Sequence, residues 1–344
     1  MRIDSRTHAR RLNVARFAAL SMLLGAGIAL GAEPTEWLER MNKALTTRNY
    51  VGVFTHVRGT RAETLRIIHR VRGRDVSERL LSLDGSGREF VREGDELTCY
   101  FPDKKTVLVE RRVPDGPLLG ALPALGENDS HVYEIRGGER ERLLGRTTRV
   151  VALQPRDEYR YGYRLWIDEQ TSMPLKTQLC GASGEVLEQI VFSNIDLPER
   201  IPDSMFKPQV DASTYRWLRA DRQLALNSTP ALWEAMRLPA GFRMATRSVQ
   251  ALPGSSEPAT HLVFTDGVAS VSVFVEPRKP DTKGEEGPVR MGSSSAFTTV
   301  VDGHQITAVG EVPPNTVQFI ATQVKAIPKG ATQGLGIAPA PPRK

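Results

Sequence analysis

The stretch from Thr260 to Glu276 constrains this chain more than any other. Two alternating runs rich in β-branched residues, 260–265 and 268–276, flank Asp266-Gly267, a dipeptide that tolerates positive φ at both centres of a tight hairpin turn. A two-residue turn there pairs Thr265 with Val268, Phe264 with Ala269, Leu262 with Val271 and Thr260 with Val273. One face then holds Leu262, Phe264, Ala269, Val271 and Val273, and the other His261, Val263, Ser270 and Ser272. A slip of one residue would mix the two sets. Asp302-Gly303 repeats the logic, pairing Val301 with His304, Thr299 with Ile306 and Phe297 with Ala308. These four strands are expected to form a small antiparallel sheet with one oily side, and nothing in them looks like a reaction centre.

The remaining length asks for a second domain, since 344 residues exceed a single ordinary core. The formal charge of +6 is misleading: without the first 32 residues, which hold five arginines and one aspartate, 41 basic residues face 39 acidic ones. A nucleic-acid partner is therefore not expected. Those first 32 residues, with Arg2, Arg6, Arg10, Arg11 and Arg16 before an apolar run that ends in small residues near Ala32, read as a cleaved secretory signal. An uncleaved membrane anchor is the competing reading, and the run is short for a span.

Trp37, Leu38, Met41 and Leu45 recur at helical spacing, so a helix is expected over about 35–48. Strand-like runs follow at short intervals: 51–58, 63–71, 76–83, 89–93, 96–101 and 106–112, then 131–135, 147–153, 159–168, 174–179 and 186–195. So many short strands predict one large, curved antiparallel sheet or open barrel. Between the two series, residues 114–126 are apolar but broken by Pro and Gly. They form either a mobile lid over an apolar cavity, with Leu118, Leu119 and Leu122 as its contacts, or a loop that tucks these leucines into the core. The expected domains are thus a signal (1–32), a large β domain (33–208), a linker (209–228), a small α+β domain (229–327) and a disordered tail (328–344). Within the small domain, 229–237 reads as a short helix, and 314–327 as a helix that lays Val317, Ile320, Ala321 and Val324 on the sheet.

Catalytic patterns are not found: there is no Gly-x-Ser-x-Gly elbow, phosphate loop or His-Glu-x-x-His. His69 reads as a strand histidine and His304 as a structural one. The arginine-rich stretch 58–79 reads as solvated surface. The histidines do not cluster, so neither a metal nor a cofactor is expected. Cys99 and Cys180 either pair, closing a long loop for about 4 kcal/mol in the chain-entropy model, or remain buried thiols. Both readings stand. Trp233, Phe242, Phe274 and Glu276 are candidates for partner docking or for packing between domains.

Several blocks together resemble the RseB/MucB family of periplasmic regulators of the envelope-stress sigma factor. They are Asn49-Tyr-x-Gly52, Leu65-Arg-Ile-x-His-Arg70, Cys99-x-x-Pro-Asp103, Tyr163-Arg-Leu-Trp-x-Asp168, Glu188-Gln189, Leu238-Pro-x-Gly-Phe242, the Phe264–Glu276 hairpin, and Asp302-Gly-His-Gln305 leading to Gly310-Glu-Val-Pro313. The resemblance implies an unclosed, lipoprotein-carrier-like β-barrel with an apolar interior, joined to a small sheet-and-helix domain. It also implies a non-enzymatic role. Such a protein binds the periplasmic part of an RseA/MucA-like transmembrane anti-sigma factor, shields it from site-1 proteolysis, and is released by lipopolysaccharide or lipoprotein acyl chains. A periplasmic lipid or lipoprotein carrier is the alternative, a periplasmic hydrolase a distant third, and a homo-oligomer is left open.

Overall fold

The computed structural model describes residues 33–85, 87–111, 118, 131–220, 233–251, 258–278 and 286–327. The expected signal (1–32), Leu119, Leu122 and the expected tail (328–344) lie outside them. Helix α1 (Pro34–Thr47) starts on a proline, whose missing N–H costs nothing at a helix N-terminus, and buries Trp37, Leu38, Met41, Ala44 and Leu45. These residues are the apolar stripe that the spacing predicts.

Eleven antiparallel strands follow: β1 (Tyr50–Arg58), β2 (Arg61–Arg72), β3 (Asp75–Ser82), β4 (Glu89–Glu93), β5 (Glu96–Phe101), β6 (Thr106–Arg111), β7 (Tyr133–Leu143), β8 (Arg146–Pro155), β9 (Gly162–Asp168), β10 (Pro174–Cys180) and β11 (Val186–Asp196). With β12 (Arg216–Ala220) they make one sheet in the order β12-β6-β5-β4-β3-β2-β1-β11-β10-β9-β8-β7, whose ends are not bonded to each other. The barrel is unclosed, as expected. Helix α1 lies against β7 and β8. Alternation places Phe54, Leu65, Leu80, Leu179, Ile190 and Phe192 on one face, while Ile68, Val91, Tyr100, Val107 and Val109 share the other. Gly52, in the Asn-Tyr-x-Gly block, is fixed by close approach: a Cβ there would lie 2.6 Å from the Phe192 ring and 3.0 Å from the Asn194 carbonyl oxygen.

Of the segment expected as a linker, 209–228, the described residues 209–220 are part of the sheet instead. Gln209 and Val210 donate their backbone N–H groups to the buried Glu89 carboxylate, at 3.0 and 3.1 Å. Val210, Ala212 and Tyr215 then cover Val91, Tyr100, Val107 and Val109, and β12 pairs in parallel with β6. A buried carboxylate needs donors, and this strand of chain supplies them. The arginine-rich stretch is likewise corrected in part, because Arg70 and Arg79 are buried. Arg79 forks onto Glu89 at 2.7 and 3.0 Å, and Arg70 reaches Asp203 and lies over the Phe206 ring.

The second sheet has six strands rather than four: β14 (Arg243–Ala251), β15 (Pro258–Thr265), β16 (Ser270–Pro277), β17 (Gly287–Met291), β18 (Ser294–Val301) and β19 (His304–Gly310), in the order β14-β15-β16-β19-β18-β17. Helix α2 (Pro314–Gln323) covers its oily face with Val317, Ile320 and Ala321, all fully buried, and Val324 follows them into the core. The helix expected over 229–237 is contradicted: Trp233–Ala235 is a strand (β13) paired with β20 (Val324–Ala326). The end of α2 supplies that partner, so ladder bonds replace helical ones. Cys99 and Cys180 lie six strands apart in the sheet order, and no disulfide joins them.

The hairpin at Asp302-Gly303 has the expected register and positive φ at both centres, 48° and 73°. The one at Asp266-Gly267 does not. Thr265 pairs with Ser270, Phe264 with Val271 and Leu262 with Val273, a shift of two that keeps every residue on its expected face. The turn is four residues long because the Asp266 carboxylate accepts the N–H groups of Val268 and Ala269, at 2.9 and 2.7 Å.

Gly52→Ala is expected to lower the urea midpoint, with a loss of about 1–3 kcal/mol from forced repacking of Phe192 and an unchanged slope.

Candidate functional site

On the face of the large sheet that carries Phe54, Leu65, Leu80, Leu179 and Ile190 lies a cavity of about 270 Å³, lined by these residues with Leu118 and Tyr163. Its rim is polar: His56, Arg58, Glu63, Glu188 and, from the second sheet's side, Glu311. Leu118 is the one lid candidate among the described residues, and its position has a specific cause. Tyr50, His69, Glu78 and Arg92 stand in one cross-strand row over β1–β4. The fully buried Glu78 carboxylate accepts from His69 Nδ1 (2.8 Å), from Arg92 (3.0 Å) and from the backbone N–H of Leu118 (3.1 Å). A buried charge with three donors is a firm anchor, and it holds Leu118 where that residue lines the cavity. His69 thus holds Glu78 and sits stacked on Tyr50, with ring centroids 4.5 Å apart.

The rim doubles as a joint between the two sheets. Glu188 accepts from His56 Nε2 at 2.9 Å and from Arg58 Nε and Ser293 Oγ. Ser293, fully buried in the β17–β18 turn, also lies 2.8 Å from Glu311 Oε1. Burial works against ionisation of Glu188, but the hydrogen bonds from His56, Ser293 and Arg58 outweigh it and hold the carboxyl down at about 2. Glu311 is pushed up, by burial first and then by the negative charge of Glu188.

A second joint is built on Arg160, in the loop before β9. Its side chain is wholly buried. It donates to Asp157 through Nε and Nη2 (3.0 Å each), to Asp266 Oδ2 through Nη1 (2.8 Å) and to the Ala240 carbonyl through Nη2 (2.6 Å). The guanidinium also lies 5.2 Å from the Phe242 ring centroid and 5.6 Å from that of Tyr133, within reach of cation–π attraction. Gly241 is obligatory in the Leu-Pro-x-Gly-Phe block: its φ is +80°, and a Cβ would lie 3.0 Å from Val132. Beside Arg160, Tyr159 accepts from Thr316 Oγ1 through its carbonyl (2.7 Å) and packs edge-on to Phe319.

Of the docking candidates, Trp233 and Phe242 are buried, Trp233 against the His304 ring at 4.9 Å and Phe242 beneath Arg160. Phe274 stacks on His261 on the outer face of the small sheet, and Glu276 pairs with Gln305 in the strand register. Glu188, in Glu188-Gln189, and Glu311, in Gly310-Glu-Val-Pro313, lie in blocks that carry the family resemblance, but those blocks assign them no role, and no pattern singles out Arg160 or Ser293. Arg160–Asp266 and Ser293–Glu188 are 106 and 105 residues apart, while Arg160 also meets Ala240, 80 away, and Asp157, three away, and Ser293–Glu311 is 18 apart. Among the described residues no group of His, Cys, Asp or Glu could hold a metal.

Asp266→Asn keeps the shape but leaves the Arg160 charge short of a partner. We expect a loss of about 3 kcal/mol in denaturant unfolding, and recovery of most of it in Arg160→Met/Asp266→Asn, where no fully buried charge is stranded and the part-exposed Asp157 can turn to water.

The MucB/RseB N-terminal domain family model matches residues 33–210 and the MucB/RseB C-terminal domain model matches residues 227–325. "Sigma factor AlgU regulatory protein MucB" of Pseudomonas aeruginosa is 28% identical over 330 residues, 92% of this chain and 99% of that one. "Sigma-E factor regulatory protein RseB" of Escherichia coli K12 is 28% identical over 317 residues, covering 89% and 94%. Among solved structures, the complex of Pseudomonas aeruginosa MucA and MucB superposes with a TM-score of 0.67 at 27% identity, over 86% of this chain and 99% of that chain. MucB in complex with MucA(peri) gives 0.65 at 26% identity, with the same coverage. With both domain models matched in order over most of its length, the chain belongs to the MucB/RseB family of sigma-factor regulatory proteins.

Proposed function

We propose that this protein is a periplasmic negative regulator of an envelope-stress sigma factor. It grips the periplasmic segment of a MucA/RseA-like membrane anti-sigma factor, keeps site-1 protease from it, and lets go when an acyl chain enters the cavity. One observation carries the reading: Glu188 and Glu311 belong both to the cavity rim and to the joint between the sheets. A ligand can shift an equilibrium only through different affinity for its two states, and an occupant of this cavity touches the contact that distinguishes them. The volume of about 270 Å³ is at the lower end for small-molecule sites, about 300 Å³, and suits a slim apolar chain. We assign the anti-sigma segment to the cleft of about 730 Å³ lined by Arg164, Glu185, Arg290 and Asn315. Elements of both sheets wall this cleft, so its occupant senses their relative placement. A carrier with the same cavity would have no use for the second sheet or for the ion pair that holds it.

The test is a titration of the mature protein with the periplasmic segment of its anti-sigma factor, with and without an acylated lipopeptide. Tight binding that the lipopeptide weakens supports the regulator. Lipopeptide binding without segment binding makes the protein a carrier. Leu118→Asp is expected to weaken lipopeptide binding by about tenfold or more, from loss of apolar contact, with an unchanged melting temperature. Arg164→Glu, at an exposed position, is expected to weaken segment binding by about tenfold through its altered charge and to leave lipopeptide binding intact.

A further inference from the structure

Three oxygens lie in a row at the rim joint: Glu188 Oε1, Ser293 Oγ and Glu311 Oε1, each end oxygen within hydrogen-bond reach of the serine. A hydroxyl has one proton to give. If both carboxyls are ionised, Ser293 serves one of them and turns a lone pair toward the other at 2.8 Å, a repulsion that Arg58, 3.7 Å from Glu311, offsets only in part. One added proton resolves this. Glu311 as an acid donates O–H to Ser293 Oγ, and Ser293 donates its own O–H to the Glu188 carboxylate. We propose that this chain is a proton-operated latch between the two sheets, closed by uptake of a single proton on Glu311. The inference rests on the regulator reading for its biological consequence, but not for its chemistry.

The surrounding charges fit this assignment. On β1, His56 and Arg58 both face Glu188, and the Arg58 Nη2 is 3.7 Å from Glu311. Both therefore favour ionised Glu188, and Arg58 also favours ionised Glu311, which opposes the latch. Tyr161 and Tyr163 stand on the β9 side, and Arg290 on β17 acts on Tyr161 and Glu185. Glu311 is raised by its burial and by Glu188, while Glu188 is held at about 2, so the proton belongs on Glu311. The Glu311 side chain as a whole keeps 41% exposure, which gives water a path to the titrating group.

The pH window follows from the two signs. For Glu311, raised in the folded state, the cost of ionisation is present at neutral pH and disappears as pH falls through its folded midpoint. For Glu188, the stabilisation is full above its ordinary value of 4.5 and is lost as pH falls toward about 2. The latch is therefore tightest in mild acid, above the range where Glu188 protonates. Because linkage is reciprocal, an acyl ligand that opens the latch binds more weakly in mild acid.

The experiment is a titration of ¹³C-carboxyl glutamate resonances in the full chain, wild type and Glu311→Gln. We expect one glutamate titrating above the others, displaced upward from the ordinary glutamate value, and its loss in the variant. Absence of any such resonance, or its persistence in Glu311→Gln, overturns the proposal. A second arm measures lipopeptide affinity at about pH 7.5 and about pH 5.5. The wild type should lose about fivefold in acid, the lower end of ordinary coupling, while Glu311→Gln, whose amide donates to Ser293 at any pH, should show no change. Equal pH dependence in both proteins overturns the latch. Lipopeptide that binds at neither pH overturns the acyl reading instead, and the resonances still decide the latch.

Discussion

The placement of the small sheet on the large one depends on the guanidinium of Arg160. Five N–H donors on a planar fork cannot be buried without partners, and those partners come from both domains: Asp157 from its own loop, Asp266 and the Ala240 carbonyl from the other. The Asp266 carboxylate in turn organises the β15–β16 turn through its second oxygen. Folding of that turn and docking of the two sheets are thus one event. Two features of the small domain follow from it, the left-handed Gly241 that lets the chain pass beneath the guanidinium and the Phe242 ring packed against it. A buried ion pair contributes little net stability compared with an apolar replacement, yet breaking it strands a charge. Its effect is to make one arrangement of the sheets far better than others.

The large sheet uses buried charge in the same way on both of its faces. On the cavity side, Glu78 gathers His69, Arg92 and the backbone of Leu118; on the far side, Glu89 gathers Arg79 and the backbone of Gln209 and Val210. In each case a carboxylate inside the sheet recruits a connecting segment that has no ladder partner of its own. Without Glu89, residues 209–215 would have little reason to lie on the sheet and deliver β12 to its edge.

What was legible in the sequence follows the same division. Contacts set by local chemistry could be read directly. The periodicity of α1, the faces of the strands and the Asp302-Gly303 turn all depend on residues within a few positions of each other. The Asp266-Gly267 turn looked identical on paper and failed by two residues, because one oxygen of its carboxylate caps Val268 and Ala269 while the other meets Arg160, 106 positions earlier in the chain. Trp233 offered a helical pattern, but its backbone pairs with Ala326, a partner that exists only once α2 has packed. The linker likewise became a strand because a distant buried carboxylate needed its N–H groups. Pattern shows which face a side chain takes, while long-range charge pairing decides register and connection.

The two joints differ in what can open them. The Arg160 guanidinium is wholly buried and stays protonated. The Glu188–Ser293–Glu311 chain is partly open to water and needs one proton to satisfy all of its oxygens. A rearrangement that leaves the protein folded must therefore keep the first joint and can release the second. The two joints between the sheets are thus built from different chemistry, one from a permanent charge and the other from carboxyls that share a hydroxyl.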